Sequence, residues 1–299
     1  MHIGKALSHP VFAMLVLAFT TVAGMADEVK RISVNGYEFA YVEQGQGEPV
    51  VFVHGGLQDY RMWSEQLPKF ALHYRAIAYS RRNNYPNEVS PEGTPDGAAD
   101  VHGEDLAALA RALGFSRIRV VAHSSGAHAA LFFAAKHPDM VVSLAVNEPP
   151  ALGMLNGLPN NADILKEFAG LALAREALKI GDVQRGIPMF VDVVGGPGAY
   201  ERRSDADKKM NLDNVASYQA DAIKRPRPIF TCDMAKAIKA PTLLSDAERS
   251  PRLFHHVLDQ LEACLPNRER VEIPASSHTV TVDNPNAYEQ AVLAFLAKH

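Results

Sequence analysis

Ile118-Arg119-Val120-Val121-Ala122-His123-Ser124-Ser125-Gly126 is the stretch whose reading decides the fold. Its first half is a short β-branched apolar run, broken only by Arg119. Its second half opens onto Ala127, Ala130, Leu131 and Ala134, which recur at helical spacing. A strand that turns into a helix this abruptly needs a very sharp bend at residues 123–125. At such a bend the residues two before and two after the apex approach closely, so both must be small. With Ser124 at the apex they are Ala122 and Gly126; with Ser125 they would be His123 and Ala127, and the imidazole would clash. Ser124 is therefore the candidate nucleophile, held where a strand ends.

The rest of the chain alternates in the same way. Asn35-Gly36 separates two strand-like runs at residues 31–34 and 39–43, a strong hairpin signal. Further short apolar runs follow at residues 49–53, 75–79, 118–122, 141–146, 241–244 and 270–273, as expected for strands buried on both faces. Helical faces lie between them: Leu106, Leu109, Ala110 and Leu113 before Gly114, then Phe254, Val257, Leu258 and Leu261 before Pro266, then Tyr288, Val292, Phe295 and Leu296. This predicts an α/β fold, a mostly parallel eight-stranded sheet with helices on both faces. Residues 150–236 break the alternation, with helical patterns and no buried strand. They predict an inserted helical cap on a core formed by 27–149 and 237–299.

Composition narrows the function. The 299 residues are 47% hydrophobic, with 30 Lys+Arg against 34 Asp+Glu. A net charge of -4 leaves no basic excess for nucleic acid. Residues 1–26 carry Lys5, an apolar run from Val11 and the small residues Gly24 and Ala26, a pattern expected of a secretory signal peptide. The expected location is periplasmic or secreted, with no stable membrane association once the leader is removed. Cys232 and Cys264 are the two cysteines, free to pair in such a compartment. No His pair has the spacing of a helical metal site, so no metal is expected. Oligomeric state has no signature here.

On Ala122–Gly126, His54-Gly55-Gly56 after the third strand, Ser276-Ser277-His278 after the eighth and the helical insertion after the sixth, the chain resembles the α/β-hydrolase family over most of residues 29–299. The resemblance implies a cofactor-free serine hydrolase acting through an acyl-enzyme. It implies Ser124 as nucleophile, His278 as base and an oxyanion hole from the backbone of Gly56 and Ser125, with Leu57 the neighbour of that loop. The acid is less direct. Most relatives carry it after the seventh strand, where counting from Pro241 lands on Ser250, with Asp246 and Glu248 nearby. A minority place it at the end of the sixth, and there the sequence reads Asn147-Glu148-Pro149-Pro150. Glu148 is the expected acid, and Asp246 and Glu248 are the alternatives.

Serine as nucleophile points to acyl transfer to water, from a small, hydrophobic or aromatic ester or a lactone. A carbon–carbon hydrolase or a perhydrolase on the same triad, and a non-catalytic receptor, are the other readings. Apolar cap residues expected near the substrate include Met154 and Phe190, and Trp63 beside the oxyanion loop is a further pocket candidate, with a core position the competing reading. Arg81 and Arg82, after the fourth strand, are read first as partners of surface acids and second as ligands of a substrate carboxylate.

Overall fold

The computed structural model describes residues 1–2, 28–89, 97–159, 161–166, 168–220 and 228–299. Nearly all of the expected leader, at 3–27, lies outside the described residues. The strands are β1 (Lys30–Val34), β2 (Tyr37–Gln44), β3 (Pro49–Val53), β4 (Arg75–Tyr79), β5 (Ile118–His123), β6 (Val141–Asn147), β7 (Thr242–Ala247) and β8 (Arg268–Ile273). They form one sheet in the order β1-β2-β4-β3-β5-β6-β7-β8. The β1–β2 hairpin turns on Asn35 and Gly36, with φ of 50° and 68°. A two-residue hairpin loop favours positive φ at both positions, and Asn and Gly adopt it at least cost. β2 runs antiparallel to β1 and β4, and the pairs from β4 to β8 are parallel.

Helices α1 (Ala99–Ala112), α2 (Ser124–Lys136), α3 (Ala169–Lys179), α4 (Val183–Gly195), α5 (Asp205–Asp213), α6 (Cys232–Ala237), α7 (Arg252–Cys264) and α8 (Pro285–Lys298) complete the layers. The central strands are apolar because both their faces are covered. One cluster joins α1, α2 and α7 to one face, and the other packs α8 and the segment after β3 against the opposite face. Trp63 belongs to this second cluster. It is fully buried, with its ring 5.2 Å from that of Phe52. Its placement beside a substrate pocket is thus corrected: the one-turn helix Tyr60–Trp63 directs it into the core.

The insertion between β6 and β7 holds helices joined by loops, with no strand among its described residues. It carries α3, α4, α5 and α6. Cys232, which opens α6, is bonded to Cys264 at the end of α7, so the exit of the insertion is tied to the core. Closing that loop in the unfolded chain is worth about 3–4 kcal/mol by chain entropy. No helix among the described residues is long and apolar enough to cross a membrane.

The parallel register sets up the site. His123 at the end of β5 pairs with Asn147 of β6, and Asn147 pairs with Ser245 of β7. Ser124 and Glu148 therefore leave adjacent strands at the same level, at the C-terminal edge where open α/β sheets bind ligands.

Candidate active site

Ser124 has φ of 53°, in the left-handed region. Such a bend costs a non-glycine residue on the order of 1–3 kcal/mol and persists only where its surroundings force it. They do so here. A Cβ at Gly126 would stand 2.3 Å from the His54 carbonyl oxygen and 2.6 Å from that of Val53, so the helix can press against β3 only through a glycine. The bend leaves Ser124 at the first turn of α2, whose N–H groups have no partner within the helix.

The Ser124 hydroxyl lies 2.9 Å from His278 Nε2, and His278 Nδ1 lies 2.6 Å from Glu148 Oε2. Glu148 also has a positive φ, 43°, just before Pro149 and Pro150. Its Oε1 accepts the Ala247 N–H at 2.8 Å, and its Oε2 accepts the Ser250 hydroxyl at 2.8 Å. The serine found where most such chains would carry the acid thus donates to an acid supplied by the next strand. His278 is 3% exposed. Phe254 stacks on its ring at 4.2 Å, and His123 tilts against it at 4.7 Å. Asn147 uses its amide to donate to the Ser245 carbonyl, so its oxygen accepts from His123 Nδ1 at 2.7 Å. His123 therefore braces the imidazole that faces Ser124.

Electrostatics follow from the same burial. Desolvation, and next the Arg203 cation, hold the His278 imidazole down at about 3. Burial pushes the Glu148 carboxyl up to about 8, against the pull of Ser250 and Ala247. This corner excludes water, and burial disfavours the charged form of each group. Arg203 donates to Asn211 Oδ1 at 3.4 Å and opposes protonation of His278. Arg203→Met removes that opposition. The acid limb of kcat/KM is then expected to move up by roughly half a pH unit. Parallel pH profiles check this, and an unmoved or lowered limb contradicts it.

The loop after β3 faces the bend. The Arg81 N–H donates to His54 Nε2 at 2.9 Å, so His54 Nδ1 carries the proton and donates to the Gly55 carbonyl at 2.8 Å. Arg81 Nη2 donates to that carbonyl at 2.9 Å and to the Ser125 hydroxyl at 3.0 Å. In a planar trans peptide the next N–H points the opposite way from the carbonyl, so pinning Gly55 fixes the direction of the Gly56 N–H. A Cβ at Gly56 would lie 2.4 Å from the Tyr218 hydroxyl and 3.2 Å from Phe190. The cap closes down on this glycine. Gly56 and Ser125 both line a cavity of about 310 Å³ beneath the cap.

Several expected residues stand elsewhere. Asp246 faces Arg270 at 2.7 Å and His255 at 3.0 Å, and Glu248 accepts the Ala275 N–H at 2.6 Å near the surface. Neither is bonded to His278, because β7 directs both away from the bend. Leu57 and Met154 are packed in the main core, outside the cavity wall. Phe190 meets Gly56 and the Tyr218 ring, 5.2 Å away, behind the wall. Leu152 and Phe168 do line the cavity, with Leu171, Ile229 and Phe230, which periodicity alone does not distinguish from core. Arg82 is no surface residue: it is 2% exposed and bidentate to buried Asp105, at 2.8 and 3.0 Å. No cluster of three or more metal-ligating side chains occurs among the described residues.

Known proteins share this architecture. The chain overlays carboxylesterase CesB from Bacillus subtilis with a TM-score of 0.70 at 17% identity, covering 92% of this chain and 93% of that one. It overlays Est816, described as an N-acyl homoserine lactone degrading enzyme, with a TM-score of 0.66 at 20% identity, covering 89% and 100%. In sequence, epoxide hydrolase 3 of Xenopus tropicalis is 32% identical over 122 residues, 40% of this chain and 33% of that protein. Fluoroacetate dehalogenase of a Burkholderia species is 32% identical over 122 residues, 40% of each. The chain thus spans between a third and two fifths of the length of these first curated relatives. Residues 48–285, with the bend, the His54 loop and β8 inside them, match the family model described as alpha/beta hydrolase fold, and the chain belongs to that family.

Proposed function

We propose that the protein hydrolyses small carboxylic esters or lactones through an acyl-enzyme on Ser124. The observation that carries this reading is the unbroken path from the Ser124 hydroxyl through His278 to Glu148, with bonds of 2.9 and 2.6 Å. In the first half-reaction Ser124 Oγ attacks the carbonyl carbon while His278 Nε2 takes its proton. The carbonyl oxygen gains negative charge opposite the Gly56 and Ser125 N–H groups. The carbon–oxygen bond to the leaving group then breaks, and the alkoxide takes the proton from Nε2. In the second half, water gives its proton to His278 and attacks the acyl carbon. The bond to Ser124 breaks, and the proton returns to its hydroxyl. Glu148 keeps the imidazole oriented and offsets its charge during each transfer.

Serine also separates this chain from an epoxide- or halide-opening chemistry. Alkylation of a serine would give an ether that water cannot release, whereas alkylation of a carboxylate gives an ester that it can. The cavity, near the low end for a ligand site, suits a small substrate with an apolar body. The leader-like sequence at 1–26 and the Cys232–Cys264 bond support work in an oxidising compartment outside the cytoplasm.

The test is chemical labelling. A p-nitrophenyl phosphonate is expected to release one equivalent of nitrophenol per chain and to add its mass to the peptide bearing Ser124. An activated ester should show an initial burst of the same size. Turnover of esters without labelling at Ser124 overturns the proposal.

A further inference from the structure

The cavity wall has a charge imbalance that hydrolysis of a neutral ester does not use. Among the described residues its cationic members are Arg81, Arg82 and Arg175, and none of the described lining residues is Asp or Glu. Arg82 is neutralised by Asp105, as above. Arg81 spends Nη2 on neutral acceptors, Gly55 and Ser125. Arg175 is different. It lies on α3, where Leu171 and Arg175 follow the capping Phe168 at helical spacing and turn one face of the cap toward the cavity. Its Nε is buried and has no hydrogen-bond partner among the described residues, and they supply it with no ion-pair partner either. A guanidinium is always charged, and its donors form a rigid fork suited to a carboxylate. Arg175 itself is half-buried on the cavity wall, and buried polar groups such as its Nε are normally satisfied, so a guanidinium with no partner among the described residues calls for an anion.

From this geometry we infer that the cavity takes esters or lactones carrying a second, free carboxylate, which Arg175 binds from the cap while the scissile carbonyl sits between Gly56 and Ser125. This rests on the hydrolase reading above. The same wall carries Leu152, Phe168, Leu171 and Phe230, which suits a hydrocarbon linking chain.

Two measurements separate the subsite from the chemistry. In the first, p-nitrophenyl hemiadipate is compared with p-nitrophenyl hexanoate, its neutral counterpart. Wild type is expected to favour the anionic ester in kcat/KM by at least tenfold. Arg175→Met is expected to lower that ratio by at least tenfold, and Arg175→Lys, which keeps charge but loses the fork, by less. In the second, adipate is titrated calorimetrically into the Ser124→Ala protein, where no turnover enters. Adding Arg175→Met should raise the Kd at least tenfold, and added salt should weaken the binding that remains in its absence. If adipate binds through Arg175 but no ester is turned over, the chemistry is wrong and the subsite stands. A ratio that stays the same in Arg175→Met, or a Kd indifferent to that change in a variant that keeps its circular dichroism and Tm, overturns the subsite whatever the esterase result.

Discussion

Replacing Ser124 with alanine is expected to lower kcat toward p-nitrophenyl butyrate by about five to six orders of magnitude. In the proposed reaction this hydroxyl is the group that holds the acyl fragment. Without it His278 Nε2 faces a methyl group, and only water can attack, unpositioned. The N–H groups of Gly56 and Ser125 would still bind the carbonyl oxygen, so a residue of activity above the uncatalysed rate should survive. Stability should change little. Alanine keeps the Cβ that the left-handed bend already tolerates, and the lost hydrogen bond of 2.9 Å is one among many at this edge. Steady-state assays, with Tm and circular dichroism as controls, make the comparison. A variant that keeps more than about a hundredth of wild-type turnover would sink the acyl-enzyme mechanism, since no triad serine is that dispensable.

The parts legible in the sequence are those set by local sterics. The small residues Ala122 and Gly126 identify Ser124 without any tertiary information, because the bend is a property of five consecutive residues. The strands are legible as short apolar runs, and Asn35-Gly36 marks the hairpin because few residue pairs tolerate two positive φ values. Glu148 is reachable only through the family resemblance, which offers the end of the sixth strand as one place for the acid; the parallel register that brings β5 and β6 to an end at the same level is the physical reason it can serve there. What counting could not give is the partner of Glu148. Ser250 looks like a missing acid until β7 is placed beside β6, and only then does its hydroxyl read as a donor. Trp63 illustrates the opposite failure. Its distance from His54 along the chain is small, but one turn of tight helix sends it to the far side of the sheet. Arg175 carries no local signal at all. It looks like any solvated charge on an amphipathic helix, and only the packing of α3 over the cavity turns it inward. Core and pocket residues of the cap share one periodicity, which is why Met154 and Phe190 could not be told from Leu171 and Phe230.

Glu148→Gln set against Asp246→Asn decides which carboxylate serves His278. Glu148→Gln is expected to lower kcat by about 10³–10⁴-fold with little change in KM, since the loss falls on the proton transfer and not on substrate contacts. A carboxamide has one oxygen where the carboxylate has two. If the oxygen stays toward His278 and Ser250, the amide nitrogen meets the Ala247 N–H, donor against donor. If it turns toward Ala247, the amide donates to His278 Nδ1, the ring proton moves to Nε2, and the imidazole can no longer accept from Ser124. The first orientation keeps the tautomer that the reaction needs only at the cost of that clash, the second loses it, and neither supplies the negative charge that offsets a protonated imidazole. Asp246→Asn removes a partner of Arg270, which keeps Asp259 and Glu262 at 2.6 and 3.0 Å. That change should leave kcat within about threefold, and because Asp246 is buried any loss falls on stability, read as a lowered Tm. The pH profile supplies a readout that a merely loosened fold would not move. With no carboxyl to share the proton, the acid limb of kcat/KM should change shape in Glu148→Gln and stay in place in Asp246→Asn. The reverse ranking, with Asp246→Asn the damaged enzyme, would hand the acid's role to β7 and leave the 2.6 Å contact of Glu148 with His278 without a catalytic meaning.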